Sequence, residues 1–170
     1  MTSRWKLLRN KYRTHIEPLL PHQLGLGPLF ETMNDAAVVA EAGHGAILLW
    51  NPAASRIFGY TVEEILGAPL ETLMPERMRE THRAGLARYA RTDHGPYIDS
   101  HKPVELPGVT KDGTEIAIEL TLSKIENLPG YVLAVVRDIT VRIHEEEELR
   151  QSHSRLQSQL QVERDRNQSL

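Results

Sequence analysis

A histidine lies on the apolar face of a helix predicted in the middle of the chain. Met78, His82, Leu86 and Tyr89 recur at helical spacing, so a helix over Met78–Arg91 places all four on one face. A neutral imidazole in apolar surroundings can bind a metal centre. It can equally be a core histidine whose ring nitrogens are satisfied by neighbouring polar groups. The residue types alone leave both interpretations open.

Composition excludes several other kinds of chemistry. The 170 residues include no cysteine, so disulfides, thiolate metal sites and cysteine nucleophiles are excluded. A net charge of −3 gives no overall attraction to nucleic acid or to an anionic membrane. No apolar run is long enough to span a membrane, and the basic N-terminus lacks the apolar stretch of a signal peptide, so we expect a cytoplasmic protein. The sequence contains no phosphate-binding glycine loop, zinc-protease motif or nucleophile elbow, so we predict no enzyme.

The chain divides into three predicted segments. In residues 1–28, an apolar stripe at helical spacing predicts an amphipathic helix, and the Gly and Pro residues that follow predict a linker. The stripe consists of Trp5, Leu8, Tyr12 and Ile16. Residues 29–140 predict a compact domain. Residues 141–170 predict a helix without Pro or Gly. We expect the first helix to pack on its own domain or on a second copy, with a membrane or nucleic-acid contact as the alternative.

The central segment mixes strand and helix signals. Ala36–Ala40 and Ala46–Trp50 predict two strands, and Asn51 with Pro52 predicts a helix start. Strand signals return after Gly95. The alternation of Ile116, Ile118, Leu120 and Leu122 with polar residues predicts a half-buried antiparallel strand, and the run Tyr131–Val136 predicts a central one. Antiparallel strands with interspersed helices indicate the α+β class.

Leucines in the last segment follow a coiled-coil pattern. Leu149, Leu156 and Leu160 are separated by seven and four residues, and His153 occupies a core-like position between them. A polar residue there weakens the seam. Isolated helices of this composition are only marginally stable in water, so we expect this helix to pair with a second helix in a coiled coil. The sequence therefore predicts a homodimer held by the N-terminal and C-terminal helices.

Five short motifs occur in order along the central segment. They are Trp50-Asn-Pro-Ala-Ala54, Phe58-Gly-Tyr-Thr-Val-Glu-Glu-Ile-Leu-Gly67, Leu73-Met-Pro75, Lys111-Asp-Gly113 and Arg137-Asp-Ile-Thr140. Together they closely resemble a PAS domain over roughly Phe30 to Thr140. The resemblance implies a PAS fold: a five-stranded antiparallel sheet with short helices on one face and a cavity between them. It also implies that Glu64 pairs with Lys111.

PAS domains act as sensory and dimerisation modules, and they pass a signal through a helix that leaves the last strand. By position, the resemblance gives Asp138 and Thr140 a hinge role between the domain and that exit helix. A short polar pair at a strand end can cap the next helix. We therefore expect an output domain, such as a kinase, cyclase or phosphatase, in a longer signalling protein.

The helix around His82 carries a narrower resemblance. Thr81–Tyr89 is similar to a helix of the oxygen-sensing PAS domains of rhizobial nitrogen-fixation kinases, where a histidine seven residues before a tyrosine is the axial haem ligand. His82 and Tyr89 match that spacing, and Arg88 matches an arginine near the haem propionates. This chain also departs from that family. The arginine that hydrogen-bonds oxygen there aligns near Val104, so this sequence has a valine at about that position. The lack of cysteine excludes a flavin–cysteine adduct.

Two functional hypotheses remain open from the sequence. The first is a sensor whose cavity binds an unidentified ligand or cofactor and is lined by His82, Leu86, Arg88, Tyr89, Ile116 and Ile118. In its haem variant, His82 is the metal ligand and the protein senses gas or redox state. The second hypothesis is a structural module whose filled core serves dimerisation and protein–protein interaction alone.

Overall fold

The computed structural model describes residues 21–126 and 128–168. The predicted stripe of Trp5, Leu8, Tyr12 and Ile16 lies outside these residues. The helices are a 3-10 turn at Pro21–Leu24, α1 Gly27–Thr32, α2 Pro52–Phe58, α3 Val62–Ile65, a second 3-10 turn at Leu70–Leu73, α4 Glu76–Thr92, α5 Pro96–Asp99 and α6 Thr140–Gln168. The strands are β1 Ala36–Glu41, β2 Ile47–Trp50, β3 Val104–Val109, β4 Glu115–Lys124 and β5 Tyr131–Asp138.

The five strands form one antiparallel sheet with the spatial order β2-β1-β5-β4-β3. Strand β5 lies at its centre, as its continuous apolar run predicted. It pairs with β1 from Ala36↔Val136 to Glu41↔Tyr131, and with β4 on its other side. The predicted α+β fold with a five-stranded antiparallel sheet is confirmed.

Asn51 begins helix α2 and also joins that helix to the sheet. Its Oδ1 accepts a hydrogen bond from the N–H of Ala54 at 2.9 Å, which is the predicted N-cap contact. The same oxygen accepts from the N–H of Ala37 in β1 at 3.0 Å, and Nδ2 donates to the carbonyl of Asp35 at 3.0 Å. Because the side chain is fully buried, these bonds fix the start of α2 against the beginning of β1.

Helix α3 is tied to the turn between β3 and β4. Glu64 accepts a hydrogen bond from the backbone N–H of Thr61 at 3.0 Å, as a capping box requires. Its other oxygen lies 2.6 Å from Nζ of Lys111, the partner that the family resemblance implied. The Lys111 hydrogen bond, followed by the Thr61 contact, holds the pKa of Glu64 below its ordinary value.

Both faces of the sheet are covered. On the inner face, Val38, Trp50, Phe58 and Ile65 belong to the largest buried cluster, which α2 and α3 complete. On the outer face, Phe30 of α1 packs with Ala37, Val39 and Leu49. Helix α1 therefore lies on the face opposite the other short helices, an arrangement that the sequence analysis did not predict.

Helix α4 extends the predicted helix by two residues at its start and one at its end, and Asp93 ends it in the left-handed conformation. The chain then forms the short helix α5, where we had predicted strand signals after Gly95. Pro96 explains the difference, because its fixed φ favours the first turn of a helix and it has no N–H for a strand ladder. Strand β3 begins only at Val104.

The chain divides into two compact units, one ending at Asp138 and the other beginning at Ile139. The second unit is essentially α6, whose leucines of the predicted seam are exposed. Among the described residues, no helix is both long enough and apolar enough to cross a membrane.

Candidate functional site

A cavity of about 640 Å³ lies between the inner face of the sheet and helix α4. That volume is within the range of pockets that hold small molecules and cofactors. Every lining residue that the strands contribute is apolar; these are Val38, Ala40, Leu106, Pro107, Ile118, Leu120, Leu122, Val132, Ala134 and Val136. The sheet wall therefore offers packing and no hydrogen bonds from side chains.

Helix α4 forms the opposite wall and supplies polar groups. Met78, His82, Leu86 and Tyr89, the stripe identified in the sequence, all line the cavity. Gly85 lies among them, and a Cβ on this residue would have no atom within 4 Å. The wall of α4 therefore combines apolar contacts, one imidazole, one phenol and an unfilled space at Gly85.

The two isoleucines predicted to line the cavity take different places. Ile118 lines it, and Ile116 is not among the lining residues. Two residues earlier on β4, Ile116 is opposite Gly108 of β3 and packs against the cluster that contains Phe58. The cavity covers only part of the inner face, so sharing that face with Ile118 does not bring Ile116 to it.

The imidazole of His82 faces a buried carboxylate. Nδ1 of His82 lies 3.2 Å from Oε1 of Glu71, whose residue is only 6% exposed. Nε of Arg83 lies 3.6 Å from the same oxygen. Glu71 is in the 3-10 turn Leu70–Leu73, and the N–H of Leu70 donates to Gly45 at 2.9 Å, which holds this turn to the β1–β2 loop.

Glu71 was not among the residues predicted for the site. A single acid in an apolar stretch, eleven residues before His82 and on a different element, carries no periodicity that would connect the two. The contact exists because tertiary packing brings the 3-10 turn against α4. An isolated carboxylate between apolar neighbours is the one signal that could have marked it, since such a group needs a partner when buried.

Tyr89 forms a second polar group on the cavity wall. Its residue is 4% exposed, and burial, followed by its hydrogen bond with Asp93, raises the pKa of the phenol to about 12. Asp93 in turn lies 2.8 Å from Nζ of Lys124 in β4. This lysine hydrogen bond lowers the pKa of Asp93. The chain of contacts joins the end of α4 to the sheet.

Two arginines of α4 also line the cavity, at its rim. Arg77 donates to both carboxylate oxygens of Glu115 in β4, at 2.5 and 2.7 Å, so the positive charge of Arg77 is paired with this carboxylate. Arg88 is exposed and lines the cavity without a side-chain contact to any other described residue. Its guanidinium is therefore a positive charge beside the cavity with no ion pair to a described carboxylate.

The two residues predicted to relay a signal occupy the junction of sheet and exit helix. Asp138 is the last residue of β5, and Thr140 is the first residue of α6. Arg137, next to them, makes a two-point contact with Asp35, at 3.1 and 2.8 Å. This pair ties the end of β5 to the segment that leads into β1.

The site residues fit a haem group. The cavity provides apolar walls for a porphyrin, His82 is a histidine on one wall, and Arg88 is a cation at the rim. Within residues 21–126 and 128–168, no three metal-binding side chains cluster, so nothing in this part of the chain indicates a metal ion held by protein ligands alone.

Comparisons with known proteins agree with this architecture. A family model described as "PAS fold" matches residues 28–139. Sensor protein FixL of Bradyrhizobium diazoefficiens is 34% identical over 133 residues, which cover 78% of this chain and 24% of FixL. Oxygen sensor protein DosP of Escherichia coli is 31% identical over 125 residues, covering 72% of this chain and 15% of DosP. The PAS domain of an HTR-like protein from Haloarcula marismortui superposes with a TM-score of 0.54 at 27% identity, covering 71% of this chain and 100% of that one.

Proposed function

Because this chain belongs to the PAS family, we propose that it is a sensory module that binds a small, largely apolar ligand or cofactor in the cavity between α4 and the sheet. The cavity itself is the observation that supports this function. A concave, largely apolar pocket of about 640 Å³ is typical of small-molecule sites, and an apolar occupant would remove its walls from contact with water.

The alternative, a structural module used only for dimerisation, requires that side chains fill this space. Native mass spectrometry separates the two functions. We expect the wild-type chain, purified gently, to carry a noncovalently bound small molecule. Gly85→Leu should lose it, because the added side chain starts in open space on the cavity wall. Gly85→Ala is the matched control. A wild-type chain that carries no ligand and takes up no apolar probe would favour the structural module.

In this proposal, the signal of a bound ligand passes from the cavity to helix α6 through the junction after β5. Strand β5 contributes Val132, Ala134 and Val136 to the cavity wall and ends at Asp138, two residues before α6 begins. A ligand that shifts these residues therefore acts on the strand that leads into the exit helix. In this proposal Asp138 and Thr140 form the hinge, between a domain at 29–140 and a signalling helix at 141–170.

The exit helix would act in a dimer. The seam leucines of α6 are largely exposed, at 72% for Leu149, 55% for Leu156 and 56% for Leu160. Leaving this apolar surface in water costs free energy that pairing with a second helix would recover. Their seven- and four-residue spacing fits a coiled-coil seam with a second copy of the chain. A pair of such helices can transmit rotation or a change of register to an output domain. FixL and DosP are several times longer than the stretch matched here.

Haem is a second candidate for the occupant, with His82 as its axial ligand. One specific observation favours it: Nδ1 of His82 faces the carboxylate of Glu71, so Nε2 is the nitrogen left for iron. Metal-bound histidines commonly donate their other N–H to a carboxylate. Arg88 would face the propionates. A bound haem would supply an iron centre that responds to a diatomic gas or to redox state. DosP is named as an oxygen sensor.

A spectrum tests the haem candidate. Protein from cells supplied with iron and a haem precursor should show a Soret band, and His82→Ala should abolish it. His94→Ala is the matched control, since His94 is an exposed histidine beyond the end of α4 and does not line the cavity. If added haemin produces no Soret band with the wild-type chain, the haem candidate is wrong and a colourless ligand becomes the occupant.

A further inference from the structure

Apart from the aromatic residues, two polar or charged side chains are buried among the described residues, Asn51 and Glu71. The fold explains Asn51 completely, because its oxygen and nitrogen bind backbone groups of β1, α2 and the segment before β1. Glu71 caps no helix, and within the described residues its carboxylate faces the side chains of His82 and Arg83 rather than backbone groups. Burying a carboxylate costs free energy unless the carboxylate is paired. The partner of Glu71 therefore indicates the role of Glu71.

That partner is the cavity histidine. Oε1 of Glu71 lies within hydrogen-bond distance of Nδ1 of His82, and the side chain of His82 is 29% exposed where it lines the cavity. The guanidinium of Arg83 also lies beside this carboxylate, with its Nε 3.6 Å from the same oxygen. An ionised carboxylate can only accept a hydrogen bond, so Nδ1 must donate one.

We propose that Glu71 is a positioning residue that holds His82 as the Nδ1–H tautomer and so presents the lone pair of Nε2 to an occupant of the cavity. No described residue is in hydrogen-bonding contact with Nε2. The hydrogen bond made by one ring nitrogen sets the tautomer, and so the state of the other nitrogen. Glu71 thus makes Nε2 of His82 an electron-pair donor on the cavity wall that α4 forms.

This arrangement defines the chemical class of the occupant. It is a flat or compact apolar molecule that carries one Lewis-acidic or hydrogen-bond-donating centre, because the sheet wall opposite His82 offers no polar side chain. The inference deepens the proposed function and rests on it for the presence of a ligand. The state of the ring, however, is set in the ligand-free chain and can be measured there.

The test is the ring ¹⁵N spectrum of the ligand-free chain labelled with ¹⁵N-histidine, at about pH 8, above the ordinary imidazole pKa. The signals of His82 are assigned by their loss in His82→Gln. We expect a protonated Nδ1 and an unprotonated Nε2 in the wild type. Glu71→Met, which removes the acceptor but keeps the length of the side chain, should move His82 towards the Nε2–H form that imidazoles favour in water. Arg83→Gln, at an exposed position, should leave the tautomer unchanged.

Two results would overturn the assignment: an Nε2–H or averaged ring in the wild type, or a ring whose tautomer is the same in Glu71→Met. If Glu71→Met does not fold, the wild-type spectrum still decides the first point, and Glu71→Leu, which also removes the acceptor, replaces it for the second.

Haemin titration then separates this inference from the haem candidate. If haem is the occupant, Glu71→Gln should bind haemin about 10- to 100-fold more weakly than the wild type. Its bound haem should also have a higher midpoint potential, because a neutral partner donates less electron density through the ring. A wild type with the Nδ1–H tautomer that binds no haemin would sustain the role of Glu71 and refute haem.

Discussion

The side chain of Asn51 accepts a hydrogen bond from the backbone N–H of Ala37, 3.0 Å away, although the two residues belong to different parts of the chain. The same oxygen caps α2, and the amide nitrogen holds the carbonyl of Asp35. One buried side chain therefore fixes the end of β2, the start of α2 and the start of β1, which together support the cavity wall formed by β1.

Replacement of Asn51 should destabilise the domain strongly. Asn51→Ala removes a helix cap, worth about 1 kcal/mol, and leaves the buried N–H of Ala37 unpaired, which costs about 1–3 kcal/mol more. Urea unfolding measures the loss. Asn51→Asp keeps an acceptor oxygen but buries a carboxylate against the carbonyl of Asp35, so it should also be less stable than the wild type. An Asn51→Ala variant as stable as the wild type would contradict the role given to this network.

Filling the space at Gly85 should stabilise the chain. Gly85 is inside α4 with open space around its Cβ position, so Gly85→Ala should raise the free energy of unfolding by about 0.5–1 kcal/mol through lower backbone entropy of the unfolded state. Thermal unfolding is the measurement. Gly45→Ala is the contrasting change, because Gly45 has φ +68° and its Cβ would lie 3.0 Å from Leu86. Destabilisation by Gly85→Ala would show that α4 is packed closely at that point.

Tyr89 should titrate apart from the other tyrosines. Its pKa is raised from 10.0 to about 12, chiefly by burial, so the folded state favours the neutral phenol. The stability that follows from this shift is present in full below pH 10 and is lost as the pH rises from 10 towards 12. The absorbance of tyrosinate, followed against pH, measures the ionisation of Tyr89. Tyr89→Phe should remove the late transition. A single transition for all tyrosines would refute the buried setting of Tyr89.

The exposed leucines of α6 should hold a dimer. Leu156→Glu places a charge in the predicted seam and should shift the chain towards monomer in sedimentation equilibrium. Ser158→Glu adds the same charge outside the seam and is the control. His153→Leu should tighten the dimer, because it replaces a polar residue at a core-like position. A wild-type monomer at high protein concentration would contradict this part of the proposal.

Local signals in the sequence predicted the parts of the fold that short stretches determine. The helix start at Asn51 and the strand predicted from the alternation in β4 each depend on neighbours within a few residues, and both were confirmed. The four-residue helix α5 was missed, because an element of that length has no periodicity to detect.

The candidate site was predictable only where one element carries it. The stripe of α4 placed His82 and Tyr89 on one face, and both line the cavity. Glu71 reaches His82 from a separate turn, and Ile116 shares a face with Ile118 without reaching the cavity. Contacts between elements depend on how those elements pack, so spacing along a single element does not reveal them.

The most direct test of the ligand-binding cavity is the response of methyl groups to xenon, which enters dry apolar cavities. In methyl NMR spectra of the wild-type chain, freed of any bound ligand by unfolding and refolding and placed under xenon pressure, we predict shifts for Leu86, Ile118 and Leu122, which line the cavity, and none for Leu133 on the outer face. Gly85→Leu should suppress these shifts. If the methyl groups of the lining residues do not respond in the wild type, the cavity is filled by its own side chains and the sensory function proposed here is wrong.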